Sequence, residues 1–154
     1  MKLFFYLLQW TWGITQNLVG GVGWLLLLLR GKHHSEHHHG VRVTYVDTPK
    51  RFGGVSLGMF VFVNAKYSEN AMNDIRIHEI GHCVQSMLLG PLYWLVVAIP
   101  SVLWCNLPVF RKRHNTAETR FNYYDLYCEA WANRWGVKWT GTNFINPGYA
   151  KWNA

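Results

Sequence analysis

Hydrophobic and polar positions divide the chain into alternating apolar and polar segments. Residues 3–29 carry no formal charge, and residues 91–110 form a second uncharged apolar stretch. As one helix, the first stretch would reach about 40 Å, which is enough to cross a hydrocarbon core of roughly 30 Å. We therefore expect a retained N-terminal membrane helix over residues 1–30, with a cleaved signal peptide as the competing interpretation. Five polar residues dilute the middle of this stretch: Gln9, Thr11, Thr15, Gln16 and Asn17.

The pattern changes to short β-type runs after the first apolar stretch. Residues 41–46 alternate and are rich in β-branched side chains, which predicts a strand with one buried face. Residues 55–63 form a second strand candidate, in which Gly58 marks a bulge. Together they predict a small antiparallel sheet. The histidine-rich tract at residues 33–39 precedes them, and we interpret it as a solvated linker with incidental metal affinity.

A helix is predicted from about residue 71 to residue 89. Ser68 or Asn70 can cap its N-terminus, because both side chains accept hydrogen bonds from the first free N–H groups. Gly90 and Pro91 then end or kink this helix, since proline cannot continue the hydrogen-bond ladder.

A second helix is predicted over residues 121–135, closed by Gly136. The expected fold class is therefore α+β: a short sheet, two principal helices and an N-terminal membrane helix. The chain is expected to divide into an anchor at residues 1–30 and a domain at residues 31–154. An apolar insertion at about residues 88–110 interrupts that domain.

Composition and charge point to a membrane rather than to nucleic acid. Hydrophobic residues make up 50% of the chain and charged residues 15%, whereas about 25% of a soluble protein is charged. The net charge is +7, but the basic residues cluster where apolar stretches end, at Arg30, Lys32 and residues 111–113. That placement follows the positive-inside rule, and no nucleic-acid-binding motif is visible. We expect a membrane location and no nucleic-acid partner.

The residues that carry chemistry lie in the first predicted helix, at His78-Glu79-Ile80-Gly81-His82. Residues four apart share a helix face, so the two imidazoles can hold one metal ion. Glu79 lies beside them, where it can take a proton from a metal-bound water. Glycine inside a helix costs about 1 kcal/mol relative to alanine, so Gly81 indicates a packing or site requirement. A helix with two structural histidines is the competing interpretation.

The best candidate for a third ligand is Glu129, on the second predicted helix, with Asn133 one turn further along. With these residues the sequence resembles the zincin metallopeptidases, specifically the gluzincins, in which HExxH is paired with a downstream Glu. The resemblance implies Zn²⁺ on His78, His82 and Glu129, with Glu79 as general base. Gluzincins often have an Asp at the position of Asn133, where it orients a histidine ligand. Asn can accept the same hydrogen bond but carries no charge.

Other side chains compete for these roles. Asp125 precedes Glu129 by one turn and is a less favoured ligand, and His114 and Glu118 are less favoured still. Tyrosines 123, 124 and 127 could supply an oxyanion-stabilising hydroxyl, although packing is the default interpretation for each.

The metal hypothesis constrains residues 91–110. A stretch that crossed the bilayer once would separate His78 and His82 from Glu129, so it must return as a re-entrant hairpin or rest in the interface. Pro100 near its centre predicts the bend. The basic clusters would then both face the cytoplasm, with the active site on that side. The polar residues before His78 favour a site near the interface over one at the bilayer centre.

The leading functional hypothesis is therefore a membrane-associated zinc metallopeptidase acting on peptide or protein substrates. The main alternative is a non-catalytic membrane protein with a structural zinc site. A third interpretation is a membrane-surface protein without metal, driven by basic and aromatic residues.

Overall fold

A computed structural model describes residues 2–31, 33–49, 52–114 and 122–153. This part of the chain contains four strands and six α-helices, so the predicted α+β class is confirmed. The strands are β1 (His33–His38), β2 (Val41–Val46), β3 (Gly54–Leu57) and β4 (Phe60–Asn64). The helices are α1 (Lys2–Trp10), α2 (Ile14–Arg30), α3 (Glu69–Leu89), α4 (Ile99–Asn106), α5 (Pro108–His114) and α6 (Tyr127–Thr140). Shorter helical segments are Gly90–Leu92, Trp94–Ala98, Tyr123–Asp125 and Pro147–Trp152.

The strands form one mixed sheet in the order β1-β2-β4-β3. The outer pairs are antiparallel, but β2 and β4 run parallel, with Thr44 opposite Phe62. The prediction of an antiparallel sheet is therefore wrong at the central pair. Gly58 has a φ of +63° and turns the chain between β3 and β4, so residues 55–63 form a hairpin rather than one bulged strand. This hairpin inserts β4 beside β2 in the same direction.

The histidine-rich tract is an edge strand, and its prediction as a linker is wrong. β1 pairs with β2 across a turn in which His39 and Gly40 have φ values of 49° and 94°. Two-residue hairpin turns favour positive φ at both turn residues, because this conformation matches the twist of the strands. The turn therefore favours pairing of the histidine-rich tract with β2, although the tract is polar. The Glu36 carboxylate accepts a hydrogen bond from Tyr45 at 2.5 Å and lies 3.8 Å from Arg76. The edge strand is thereby linked to α3.

The first apolar stretch forms two helices bent by 90° instead of one long helix. Asn17 lies fully buried at the elbow, and its amide donates to the carbonyl oxygens of Gln9 and Gly13 at 2.6 and 3.0 Å. The interrupted helix leaves end carbonyls such as that of Gln9 to be satisfied by side chains, and the Asn17 amide bridges the last turn of α1 and the residue before α2. The polar residues in the middle of the stretch therefore explain the break.

The chain also bends by 119° where the second apolar stretch begins, between Glu69–Leu92 and Trp94–Asn106. The bend lies near Gly90, whose φ is +52°. The prediction that Pro100 makes the bend is wrong, because this residue lies in the first turn of α4, where a missing N–H is tolerated. Within the described ranges, no single helix is both long enough and apolar enough to cross a membrane. Two pairs of consecutive helices meet both criteria when taken together, but each pair is sharply bent. The expected single membrane helix is thus replaced by a bent pair.

The principal core lies between the sheet, α1 and α3. Ser68 caps α3 by accepting a hydrogen bond from the Ala71 N–H at 3.4 Å, and the helix ends before Gly90, as predicted. The core side chains come from β2, β4, α3 and α1: Val41, Val43, Val61, Val63, Ile80, Cys83, Val84, Met87 and Phe5. These apolar contacts fix the rotation of α3 about its axis. They thereby fix the direction in which its polar residues His78, Glu79 and His82 point.

Helices α3 and α6 cross with their backbones in close contact. A Cβ added at Gly81 would overlap the carbonyl oxygen of Ala132, and one added at Gly136 would overlap that of Ile77. The prediction that Gly136 ends its helix is wrong, because α6 continues to Thr140 and Gly141 forms the C-cap. Gly136 is required by the crossing instead.

We expect Gly136→Ala to lower the free energy of unfolding by about 2 kcal/mol or more, because its methyl group has no room against a backbone carbonyl. For a chain of this size, that corresponds to a fall in Tm of about 4 °C or more. Thermal unfolding of the detergent-purified protein, followed by circular dichroism, measures the change.

The matched control for this substitution is Gly21→Ala in α2. A Cβ at Gly21 meets only the Phe60 ring, at 3.5 Å, so stability should be unchanged or rise by about 0.5–1 kcal/mol. Equal melting of the two variants would contradict the close crossing.

Candidate metal centre

The three predicted ligands meet between α3 and α6. The Nε2 atoms of His78 and His82 lie 3.1 and 3.6 Å from Oε2 of Glu129. One ligand atom from each residue lies within 4.8 Å of the other two, and all three side chains are buried. This group could bind a metal ion.

Both imidazoles are held by hydrogen bonds on the side away from Glu129. Nδ1 of His78 lies 2.7 Å from Oδ1 of Asn133, and Nδ1 of His82 lies 2.6 Å from Oε1 of Gln85. An amide oxygen only accepts, so each ring donates from Nδ1, and its Nε2 atom, which binds metal when it is unprotonated, faces the centre. Gln85 is itself fixed, because its amide donates to the carbonyl oxygen of Cys128 at 2.8 Å.

The residues present fit a bound cation. Oε2 of Glu129 is buried and has no hydrogen-bond donor among the described residues. It faces the Nε2 atoms of both histidines, so two imidazole nitrogens and a carboxylate oxygen converge on one point. Such an arrangement is costly unless a positive charge completes it. Two imidazoles and a carboxylate are a donor set that zinc accepts.

The electrostatics of the site also favour positive charge. Burial opposes protonation of His82, but the carboxylates of Glu129 and Glu79 outweigh burial and raise the pKa of His82 to about 9. Burial acts to raise the pKa of Glu129, yet the close approach of the two histidines and their charges hold it well below its usual range. Burial also raises the pKa of Glu79, against the charges of His78 and His82. A raised pKa suits a carboxylate that exchanges protons near neutral pH.

A cavity of about 160 Å³, here called the site cavity, opens above these residues. Its floor is formed by α3 and Glu129, one wall by β3, and the other wall by Trp94–Ala98 and α4. The residues that line it are Gly54, Val55, Ser56, Leu57, His78, Glu79, His82, Tyr93, Trp94, Ala98, Ser101, Val102, Tyr123 and Glu129. A small substrate group can therefore reach the three ligands and Glu79 together.

The less favoured ligands lie elsewhere. The Asp125 carboxylate accepts hydrogen bonds from Lys151 at 2.6 Å and from the Asn122 N–H at 2.7 Å, and it is not part of the metal group. The hydrogen bond from Lys151 lowers the pKa of Asp125. The His114 side chain and Glu118 lie outside the described part of the structure.

The three tyrosines have different surroundings. Tyr123 lines the site cavity. The Tyr124 ring packs against His78 at 5.3 Å between centroids, and its hydroxyl bonds to that of Tyr149. Tyr127 is exposed and donates to the carbonyl oxygen of Val96. Tyr123 and Tyr124 also line an adjoining cavity with His78 and Glu79, whereas Tyr127 lines neither cavity.

Sequence reasoning missed two residues of the site, Gln85 and Tyr93. Gln85 follows His82 by three residues and therefore shares its helix face, so a polar side chain at this spacing was an available signal. Tyr93 enters the site cavity only because the chain bends after α3, and no local pattern indicates this.

Comparison of the chain with protein-family models, with curated proteins and with solved structures gives no match. The resemblance to gluzincins therefore stays a prediction.

We expect the purified protein to carry a single zinc ion, and Glu129→Ala to weaken zinc binding about 100-fold or more, because one of three ligands is lost. The strand histidines at 33, 34, 37 and 38 should first be replaced by threonine, which suits a strand, and His39 by asparagine, which tolerates the positive φ of the turn. Elemental analysis after chelator-free purification gives the stoichiometry. Asp125→Asn is the control and should leave zinc content unchanged; equal loss in both variants would contradict the assignment.

We expect Gln85→Ala to lower zinc affinity by about 10- to 100-fold, because His82 loses the acceptor that orients its ring. Gln85→Glu keeps an acceptor for the Nδ1 proton but loses the donor to Cys128, so it should retain more affinity than Gln85→Ala. Competition with a chromophoric chelator measures both variants. Equal affinities for Gln85→Ala and the parent would show that this hydrogen bond does not position the ligand.

Proposed function

We propose that this protein is a zinc metallopeptidase of the gluzincin type that hydrolyses peptide bonds at a membrane interface. The observation that carries the proposal is the buried convergence of His78, His82 and Glu129 on a cavity that Glu79 also lines. Three protein ligands leave one position of a tetrahedral zinc ion open, as catalytic zinc sites require.

The chain supplies groups for each proton movement of amide hydrolysis. Zn²⁺ bound at this site would polarise the substrate carbonyl and acidify a water molecule. Glu79 accepts the proton of the attacking water as the water oxygen bonds to the carbonyl carbon. Glu79 then delivers that proton to the amide nitrogen as the C–N bond breaks.

Two tyrosine hydroxyls could stabilise the oxyanion of the tetrahedral intermediate. Tyr93 and Tyr123 both line the site cavity. Burial raises the pKa of each hydroxyl, so both stay protonated and can donate a hydrogen bond. Donors directed at a developing negative charge are worth about 3 kcal/mol in comparable enzymes.

The position of β3 favours an extended peptide as the substrate. This strand is at the edge of the sheet, and residues Gly54, Val55, Ser56 and Leu57 line the site cavity. A strand edge offers backbone donors and acceptors to a peptide that adds as a further strand. Peptide binding at β3 would bring a scissile bond toward the ligands on α3.

A structural zinc site remains the alternative function. Saturated coordination would need a fourth protein ligand. In the described ranges, the metal-binding group comprises three side chains, His78, His82 and Glu129, and it adjoins the cavity. This arrangement favours the catalytic proposal.

Exposed apolar side chains support the membrane part of the proposal. Soluble monomers rarely expose contiguous apolar patches above a few hundred Å². On α1 and α2 the exposed side chains include Leu3, Phe4, Leu7, Leu18, Val22, Leu25, Leu26 and Leu29. Exposed basic residues lie at the last position of α2 (Arg30) and within α5 (Arg111 and Lys112), where they would meet anionic headgroups on the cytoplasmic side.

We expect Glu79→Gln to abolish peptide hydrolysis while zinc content stays at the parent level, because the amide cannot accept the proton from water. The measurement is the fluorescence of an internally quenched peptide library incubated with zinc-loaded protein and lipid vesicles. Glu69→Gln, an exposed residue on the same helix, is the control and should keep full activity. Undiminished hydrolysis by Glu79→Gln would falsify the mechanism.

A further inference from the structure

The two walls of the site cavity are both backed by uncharged apolar elements. α2 packs against the Leu57 end of β3, where Gly20 lies against the carbonyl oxygen of Leu57. The opposite wall belongs to residues 91–110, which contain no formal charge. Leu95, Ile99 and Leu103 are exposed on this wall and do not line the cavity.

These two apolar elements are joined into one surface. The Trp94 indole donates to the Thr15 hydroxyl at 3.1 Å, and the Gln16 amide donates to the carbonyl oxygen of Gly90 at 2.5 Å. Gln16 is fully buried, so the connection is part of the fold. We name this surface the apolar face: the exposed apolar side chains of α2, Trp94–Ala98 and α4.

The rim of the site cavity is continuous with the apolar face. Val55 on β3 and Val102 on α4 line the cavity from opposite walls. Both are also exposed, at 38% and 58%. A substrate that enters between these two walls therefore passes a rim with an apolar side chain on each side.

The charge distribution identifies a bilayer as the occupant of the apolar face. Neither residues 14–29 nor residues 91–110 contain an acidic or basic side chain. Exposed cations follow each stretch, at Arg30 after the first and at Arg111 and Lys112 after the second. Apolar surface flanked by cations complements acyl chains beneath anionic headgroups.

From these observations we infer that the substrates are polypeptides anchored in the same bilayer, cut in the segment next to the lipid surface. The inference rests on the proposed peptidase function and specifies its substrate class. A cavity whose rim sits at the lipid boundary receives a chain that emerges from the membrane. A peptide dissolved in water must first reach that boundary.

The test uses full-length, zinc-loaded protein reconstituted with phosphatidylcholine–phosphatidylglycerol vesicles. Internally quenched peptides of the same randomised sequence are supplied in three forms: free, palmitoylated with a spacer of about 4 residues, and palmitoylated with a spacer of about 20. A spacer of n residues reaches at most about 3.5 Å × n, so the short form presents only bonds near the lipid. We expect the short-spacer form to be cleaved at least about tenfold faster than the free form, and at least as fast as the long-spacer form.

Comparison of the two spacers distinguishes a cavity that lies at the lipid surface from a general increase in rate caused by tethering the peptide to the membrane. Cleavage of the long-spacer form without the short-spacer form would place the cavity away from the lipid and overturn the inference. Equal cleavage of free and anchored forms would also overturn it, while leaving the peptidase proposal intact. Cleavage of no form would overturn the peptidase proposal and this inference together.

Substitutions on the apolar face provide a second arm. The double variant Leu95→Asp with Leu103→Asp should lose most of the rate on the short-spacer form, because the charges repel the face from lipid. Its rate on the free form should stay close to that of the parent. Ile145→Asp, an exposed apolar residue outside the face, is the control and should change neither rate. Retention of the short-spacer rate by the double variant would overturn the inference.

Discussion

The candidate site depends on the close crossing of α3 and α6. Gly81 and Gly136 allow the two backbones to meet at Ala132 and Ile77, where any side chain would overlap a carbonyl oxygen. Only at this separation can Glu129, from α6, lie 3.1 Å from the His78 imidazole. A wider crossing would leave two histidines on a helix face and a carboxylate out of reach. The glycine within the HExxH segment is therefore a structural requirement of the site.

A second set of constraints connects the N-terminal helices to α3. The buried amides of Gln9 and Gln16 donate to the carbonyl oxygens of Cys83 and Gly90, at 2.8 and 2.5 Å. Phe5 lies in the same core as Ile80 and the sheet. Buried amides without partners are costly, so these contacts tie the apolar N-terminal region to the helix that carries the candidate ligands. The candidate metal site and the apolar face are consequently parts of one packed structure.

The proposed peptide hydrolysis and the proposed membrane location depend on the same packed segments. Trp94–Ala98 and α4 form one wall of the site cavity and also carry exposed apolar side chains. The ionisable groups Glu79, Glu129, His78 and His82 face the interior of the cavity. Burial of Glu79, Glu129 and the two histidines limits their contact with bulk solvent and strengthens their mutual interactions. A site of this kind needs little polar surface around its entrance. An apolar rim is therefore compatible with a hydrolytic centre beneath it.

The sequence by itself determined the features that depend on near neighbours. The i, i+4 spacing placed His78 and His82 on one face, Ser68 and Gly90 bounded α3, and the period of four placed Asn133 beside Glu129. Other features depend on residues distant in the chain: the parallel pairing of β2 with β4, the strand in the histidine-rich tract, the elbow before Asn17 and the role of Gly136. Local periodicity reports which face of an element is apolar, but it carries no information about what packs against that face. Strand direction, helix separation and the partners of buried amides were decided by tertiary packing alone, because each requires contacts between segments that sequence spacing does not relate.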